Sequence, residues 1–224
     1  MEHYGIKHFF LILKYNIKLC CGWNVLAGIL ILFLTPLFFY LKQLTFREMA
    51  TIGELYLSLI GVFLFTGVMN IDKENHVEAF IAIRSIPLSL IFLLKLSILL
   101  IVNIALIFPI TEYCFFNEGT FPISQCKWGF LISSLYLGMI GMTVSHAVGD
   151  RKAGYITSIA YFFLEMVSKG SITGRFYLFS TLRESFQEKY YILIFIGIMI
   201  VINIVLLQKP GLKNVAKHTD GSLS

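Results

Sequence analysis

Asp72-Lys73-Glu74-Asn75-His76-Val77-Glu78, running on through Phe80 and Arg84 to Pro87, is a charged insert clamped between two long apolar runs. Its sixteen positions hold five of the chain's 31 charged residues, which are 18 Lys and Arg and 13 Asp and Glu. Such a segment cannot lie in hydrocarbon, where unpaired charge is costly, so it has to surface in water between two membrane spans. The fold class that follows is an all-α integral membrane protein, and the segment has the make-up of a docking surface.

The rest of the chain supports this. It is 57% hydrophobic and only 14% charged, with 21 Phe and a mean hydropathy of +0.79, whereas a soluble domain carries about 25% charged residues. Apolar runs near the length that crosses roughly 30 Å of hydrocarbon, about 20 residues, occur six times, at 24–41, 52–71, 88–111, 129–148, 154–167 and 191–207. The expected organisation is an amphipathic interfacial helix over 1–22, one transmembrane domain of six spans over 23–208 with the charged segment 72–87 inside it, and a tail over 209–224.

The net charge of +5 reports membrane orientation, not nucleic-acid binding. With the amino terminus inside, Lys7, Lys14, Lys18, Lys73, Arg84, Arg151, Lys152, Lys209, Lys213 and Lys217 face the cytoplasm, and they outnumber the Lys and Arg outside. The positive-inside rule therefore puts both termini in the cytoplasm of a plasma-membrane protein. Lys169, Arg175, Arg183 and Lys189 run against it, and a five-span alternative with the fifth run re-entrant stays open.

At helical period His3, Lys7, Lys14 and Lys18 fall within roughly 60° of one another, with Phe9, Phe10, Ile12, Leu13 and Ile17 around the rest. A basic amphipathic helix of this kind lies in the headgroup plane and is drawn to anionic lipid; the competing reading is the start of a long tilted first span. Interruption by Lys14, Asn16 and Lys18 argues against a signal peptide. Cys114 and Cys126 bracket an expected outer loop over 112–128, where an oxidising exterior would allow a bridge, although spacing alone does not fix one. Cys20 and Cys21, at the inner border, read as small apolar side chains, and no Cys or His spacing resembles a metal site.

Catalytic motifs are missing: there is no G-x-x-x-x-G-K-[ST], no G-x-S-x-G and no H-E-x-x-H. Gly138, Gly141, Gly149 and Gly154 suit close helix packing. Three ionisable residues fall at membrane depth. Lys95 is expected to snorkel toward the inner interface or to pair with a carboxylate. Glu165 is expected to reach outer water, with contact to a substrate as the alternative. His146 reads as an interfacial hydrogen-bonding residue, with proton transfer as the alternative. Residues 169–190 mix Phe176, Tyr177, Leu178, Phe179, Leu182 and Phe186 with Arg175, Arg183, Glu184 and Lys189. They are too apolar for a free loop and too charged for a span, which predicts short helices dipping into the outer leaflet.

In this order of parts the chain resembles the ABC-2 type permeases, the membrane subunits of type V ABC exporters. The shared features are a basic amino-terminal helix, six spans with both ends inside, a charged segment between spans two and three, the short turn Gly149-Asp150-Arg151-Lys152-Ala153, and outer re-entrant helices between spans five and six. Asp72, Glu74, Glu78, Pro87 and Lys95 follow the family's succession of acidic cluster, Glu, Pro and span-three Lys. Asn75-His76 replaces the common Gly-Thr, and Pro87 stands further from Glu78 than is usual.

The resemblance implies that Asp72, Glu74, Glu78, Phe80, Arg84 and Pro87 belong to a coupling helix seated in a cytoplasmic ABC ATPase. It further implies that ATP and Mg are bound on that partner, that this chain carries no cofactor, and that a second copy or a related permease completes the path through the lipid. Two other classes stay open. The substrate-binding subunit of an energy-coupling-factor vitamin importer has similar size, but the first span lacks A-x-x-x-A. A membrane-embedded enzyme would need carboxylates or histidines facing one another in the spans.

Overall fold

The computed structural model describes residues 13–70 and 87–208. Asp72, Glu74, Glu78, Phe80 and Arg84, expected to dock on a partner, the start of the expected amino-terminal helix and the tail all lie outside the described residues. Within them the chain is 82% helical, with no strand. The helices are α1 (Leu13–Cys20), α2 (Trp23–Phe38), α3 (Phe46–Asn70), α4 (Leu88–Phe116), α5 (Ile123–Val148), α6 (Arg151–Ser168) and α7 (Gln187–Gln208).

Four of them, α3, α4, α5 and α7, are long and apolar enough to cross a membrane. The pair α1 and α2, bent by 52° at Cys21-Gly22, would make a fifth span if taken as one element. The sequence predicts six. The remaining helix, α6, is only 18 residues long and carries Arg151, Lys152 and Glu165, so its composition alone does not qualify it.

The boundaries follow local chemistry. A capping box starts α3: the Thr45 hydroxyl accepts from the Glu48 N–H, and the Glu48 carboxylate accepts from the Thr45 N–H at 2.8 Å. Pro87, extended at φ −64°, precedes α4 as its N-cap. Gly149, with φ 81°, ends α5 in the left-handed conformation, and Asp150 then caps α6 by accepting from the Lys152 N–H at 3.0 Å. The two caps produce the tight turn expected there.

At the centre is α5, which touches α3, α4, α6 and α7. Small residues allow the approach. A Cβ built on Gly61 would overlap the Ser134 backbone, one on Gly138 would stand 2.5 Å from the Gly61 carbonyl oxygen, and those on Gly141 and Gly154 would also collide with α3 or α5. Gly138, Gly141 and Gly154, and Gly61 with them, are packing contacts, whereas Gly149 serves as the left-handed end of α5.

Polarity is inverted relative to a soluble protein. On α2, Trp23, Leu26, Leu30, Phe33 and Leu37 repeat at three- and four-residue spacing and are all exposed, Trp23 by 86% and Leu37 by 75%. On α7, Ile194, Ile198, Val201 and Val205 are likewise exposed. Meanwhile Glu54, Lys95, Asn103, Glu165, Lys189 and Asn203 are buried. Apolar faces this continuous are rare on soluble monomers and suit hydrocarbon.

Candidate functional site: a buried ion pair at one end of the bundle

Residues 39–45, 117–122 and 169–186 connect helices at the same end of the bundle, called here the loop end. The first two are tied together, with the Gln43 N–H donating to the Asn117 carbonyl and the Thr120 N–H to the Leu44 carbonyl, both at 2.9 Å. The third folds back over the helices. It forms two 3-10 turns, Gly174–Phe176 and Ser180–Arg183, and buries Tyr177, Leu178, Phe179, Ser180 and Thr181.

Beneath it lies an ion pair with both members fully buried. Residues Ile52–Leu57 of α3 form a π-helical turn, and Glu54 in that turn is fully buried. Extra-residue turns of this type concentrate at functional sites. The Lys189 ammonium, also fully buried, lies 2.6 Å from Glu54 Oε1. It donates to Ser133 Oγ at 2.5 Å and to the Leu178 carbonyl at 2.6 Å. Two of its N–H groups donate to neutral oxygens and its charge is matched by the Glu54 carboxylate, which is what makes a buried ammonium tolerable. The Ser133 hydroxyl in turn donates to Glu54 Oε2 at 2.6 Å.

The same Leu178 is held from its other side. Its N–H donates to Glu165 Oε2 at 3.3 Å. Glu165 is fully buried, so it does not reach outer water as the sequence predicts; residues 177–181 fold over it and exclude the solvent. Nearby, the Tyr136 and Tyr161 hydroxyls lie 3.3 Å apart.

A second polar group lies at the opposite end. His146 is buried, with Nδ1 3.1 Å from Asn203 Oδ1. The Asn203 amide donates to Thr143 Oγ1 at 2.8 Å and to the Met199 carbonyl at 2.9 Å, which leaves Oδ1 as the acceptor and His146 Nδ1 as the donor. It is a hydrogen-bonding residue as expected, inside the bundle and not at its border. Asn70 at the end of α3 donates to Ser145 Oγ at 2.9 Å. Lys95 is 1% exposed, so its ammonium stays within the protein, where it has interactions of its own, and does not extend to the interface. Cys114 and Cys126 are free, buried thiols in the ends of α4 and α5.

Sequence reasoning missed Glu54 and Ser133 and took Lys189 for a loop charge. The available signal was a carboxylate three residues into an apolar run, expensive there without a cation; its partner, 135 positions further on, leaves no local pattern. Among the described residues no group of three or more His, Cys, Asp and Glu could hold a metal ion. No family model, no curated protein and no solved structure matches the chain.

Proposed function

We propose that the chain is the membrane-spanning permease subunit of an ATP-driven ABC exporter of the ABC-2 type, working in the plasma membrane with a separate cytoplasmic ATPase. The observation that carries this reading is the segment 169–186, two short helical turns packed back onto the bundle between the last two helices. That is where the resemblance calls for re-entrant helices. The bend between α1 and α2 adds support, because an interfacial helix leading into a first span requires such a turn.

On this reading α2 to α7 are the six spans, with α6 crossing despite its three charges, and both termini are cytoplasmic. The loop end faces outward. The segment 72–87 enters a groove of the ATPase, and closure of the nucleotide-bound ATPase dimer pushes on it and re-orients the helices. A second copy or a related permease supplies the other wall of the path. An apolar or amphipathic cargo, such as a peptide, an antibiotic or a lipid-like compound, fits the aromatic outer segment.

A membrane-embedded enzyme draws on the Ser133 hydroxyl beside the Lys189 ammonium, but Lys189 is already neutralised by Glu54 and all three side chains are sealed from solvent. A base for nucleophilic catalysis has to be free to accept a proton. Copurification separates the classes. Recovery of an ABC ATPase alone, with hydrolysis stimulated by this chain in proteoliposomes, supports the exporter. An additional transmembrane coupling subunit would point to the importer, and absence of any ATPase partner would overturn the proposal.

A further inference from the structure

We propose that the Glu54–Lys189 ion pair is a latch that holds residues 177–181 as a lid across the loop end of the bundle. As an outer gate the lid rests on the exporter reading; as a latch it rests on geometry alone.

Leu178 is gripped at both ends of its backbone by charged side chains from two helices, its N–H by Glu165 of α6 and its carbonyl by Lys189 of α7. Lys189 is in turn fixed by Glu54 of α3 and by Ser133 of α5. One residue of the lid therefore ties together four helices. Charge-assisted contacts of this kind are directional, so they are either made or lost, whereas apolar packing alone lets a segment slide.

The closed position also carries a cost that opening would relieve. The Ser180 and Thr181 hydroxyls are buried without hydrogen-bond partners. In water both would be satisfied, so the lid is held down against the preference of its own side chains. Gly129 makes the seat, since a Cβ there would lie 2.9 Å from Thr181 Oγ1. Left-handed residues bracket the lid, with Lys169, Gly170 and Gly174 before it and Glu184 after it, at φ of 47°, 74°, 54° and 59°. These are the turns about which it would swing.

The test uses the full chain in lipid nanodiscs, with the exposed Cys21 replaced by Ser and Ser180→Cys introduced as a near-isosteric probe. The rate of modification by a water-soluble maleimide reports opening. We expect slow labelling in the parent and labelling at least about tenfold faster in Lys189→Met and in the double variant Glu54→Gln/Lys189→Met, because the Leu178 carbonyl loses its donor in both. A double variant with the parent's thermal midpoint that labels as slowly as the parent overturns the latch. Should the double variant fail to fold, Ser133→Ala decides, since it removes both an acceptor of Lys189 and the hydroxyl donor to Glu54: faster labelling supports the latch and the parent's rate overturns it. No partner chain takes part, so a latch that fails here and an ATPase that fails to copurify are separate results.

Discussion

Lys189 and Glu54 are each fully buried, and each is tolerable only because the other is there. Removing one partner of a buried pair leaves an uncompensated charge, whereas removing both leaves none. We expect Lys189→Met to cost about 3–5 kcal/mol in thermal or denaturant unfolding of the purified protein and the double variant with Glu54→Gln to recover most of it. Additive losses would mean that the two residues act separately. Tyr177 offers a second probe on the lid. Burial raises its phenol above the usual range, the nearby Arg183 guanidinium, 4.5 Å from the ring, lowers it by less, and the carboxylates of Glu165 and Glu54 push it upward again. A folded value raised above the unfolded one, about 10, means that stability from the neutral phenol is fully present below that pH. It is lost progressively as pH climbs from there to the higher folded value. Comparison of tyrosinate absorbance between the parent and Tyr177→Phe should therefore show one phenol titrating later than the exposed tyrosines; equal titration would contradict the burial.

Among the elements, α5 is central because small residues face it, and Gly61 makes the clearest case. A Cβ at Gly61 would run into the Ser134 carbonyl, which is backbone and cannot rotate away. We expect Gly61→Ala to destabilise the bundle by about 1–3 kcal/mol, as overpacking does, read as a lower midpoint in detergent, while Gly197→Ala on α7, where nothing lies within 4 Å, leaves it unchanged. The elements were largely legible in the sequence, since four of the six apolar runs lie within helices, the run at 52–71 coincides with α3 as far as Asn70, and the run at 24–41 covers α2 from Asn24 to Phe38. The helix ends were less so. Phe46–Thr51 and residues 149–153 owe their limits to a capping box and to a left-handed glycine with an Asp cap, which an apolar run does not contain. The site was the least legible part. Glu54 is presented by a π turn and meets Lys189 and Ser133 only after the chain has crossed back, so the pairing depends on tertiary geometry and not on any spacing.

For the whole molecule, the exposed apolar faces of α2 and α7 and the buried charges suit lipid on the outside and polar contacts inside. On the exporter reading, energy for transport enters through a polar surface, and the insert Asp72 to Pro87 offers five charged residues between two apolar runs. Its Glu74 and Glu78 are flanked by Val77, Phe80, Ile81 and Ile83, the mixture of charge and apolar area that a protein interface uses. Insertion depends on the apolar runs, and the rule that sets orientation counts Lys and Arg, so on the proposed topology Lys at either position adds positive charge to the cytoplasmic side and reinforces that orientation. We therefore expect Glu74→Lys and Glu78→Lys to insert normally, as judged by protease protection of tagged termini in membrane vesicles. Both should lose capture of the ATPase and its stimulated hydrolysis, because a rim charge reversed against a complementary groove repels where it had attracted. The compensating experiment separates docking from a general defect: reversing a basic residue of the captured ATPase should restore binding to Glu78→Lys and weaken binding to the parent. If both reversed chains bind and stimulate the ATPase like the parent, the charged insert is a solvated connector and the coupling surface lies elsewhere on the cytoplasmic end.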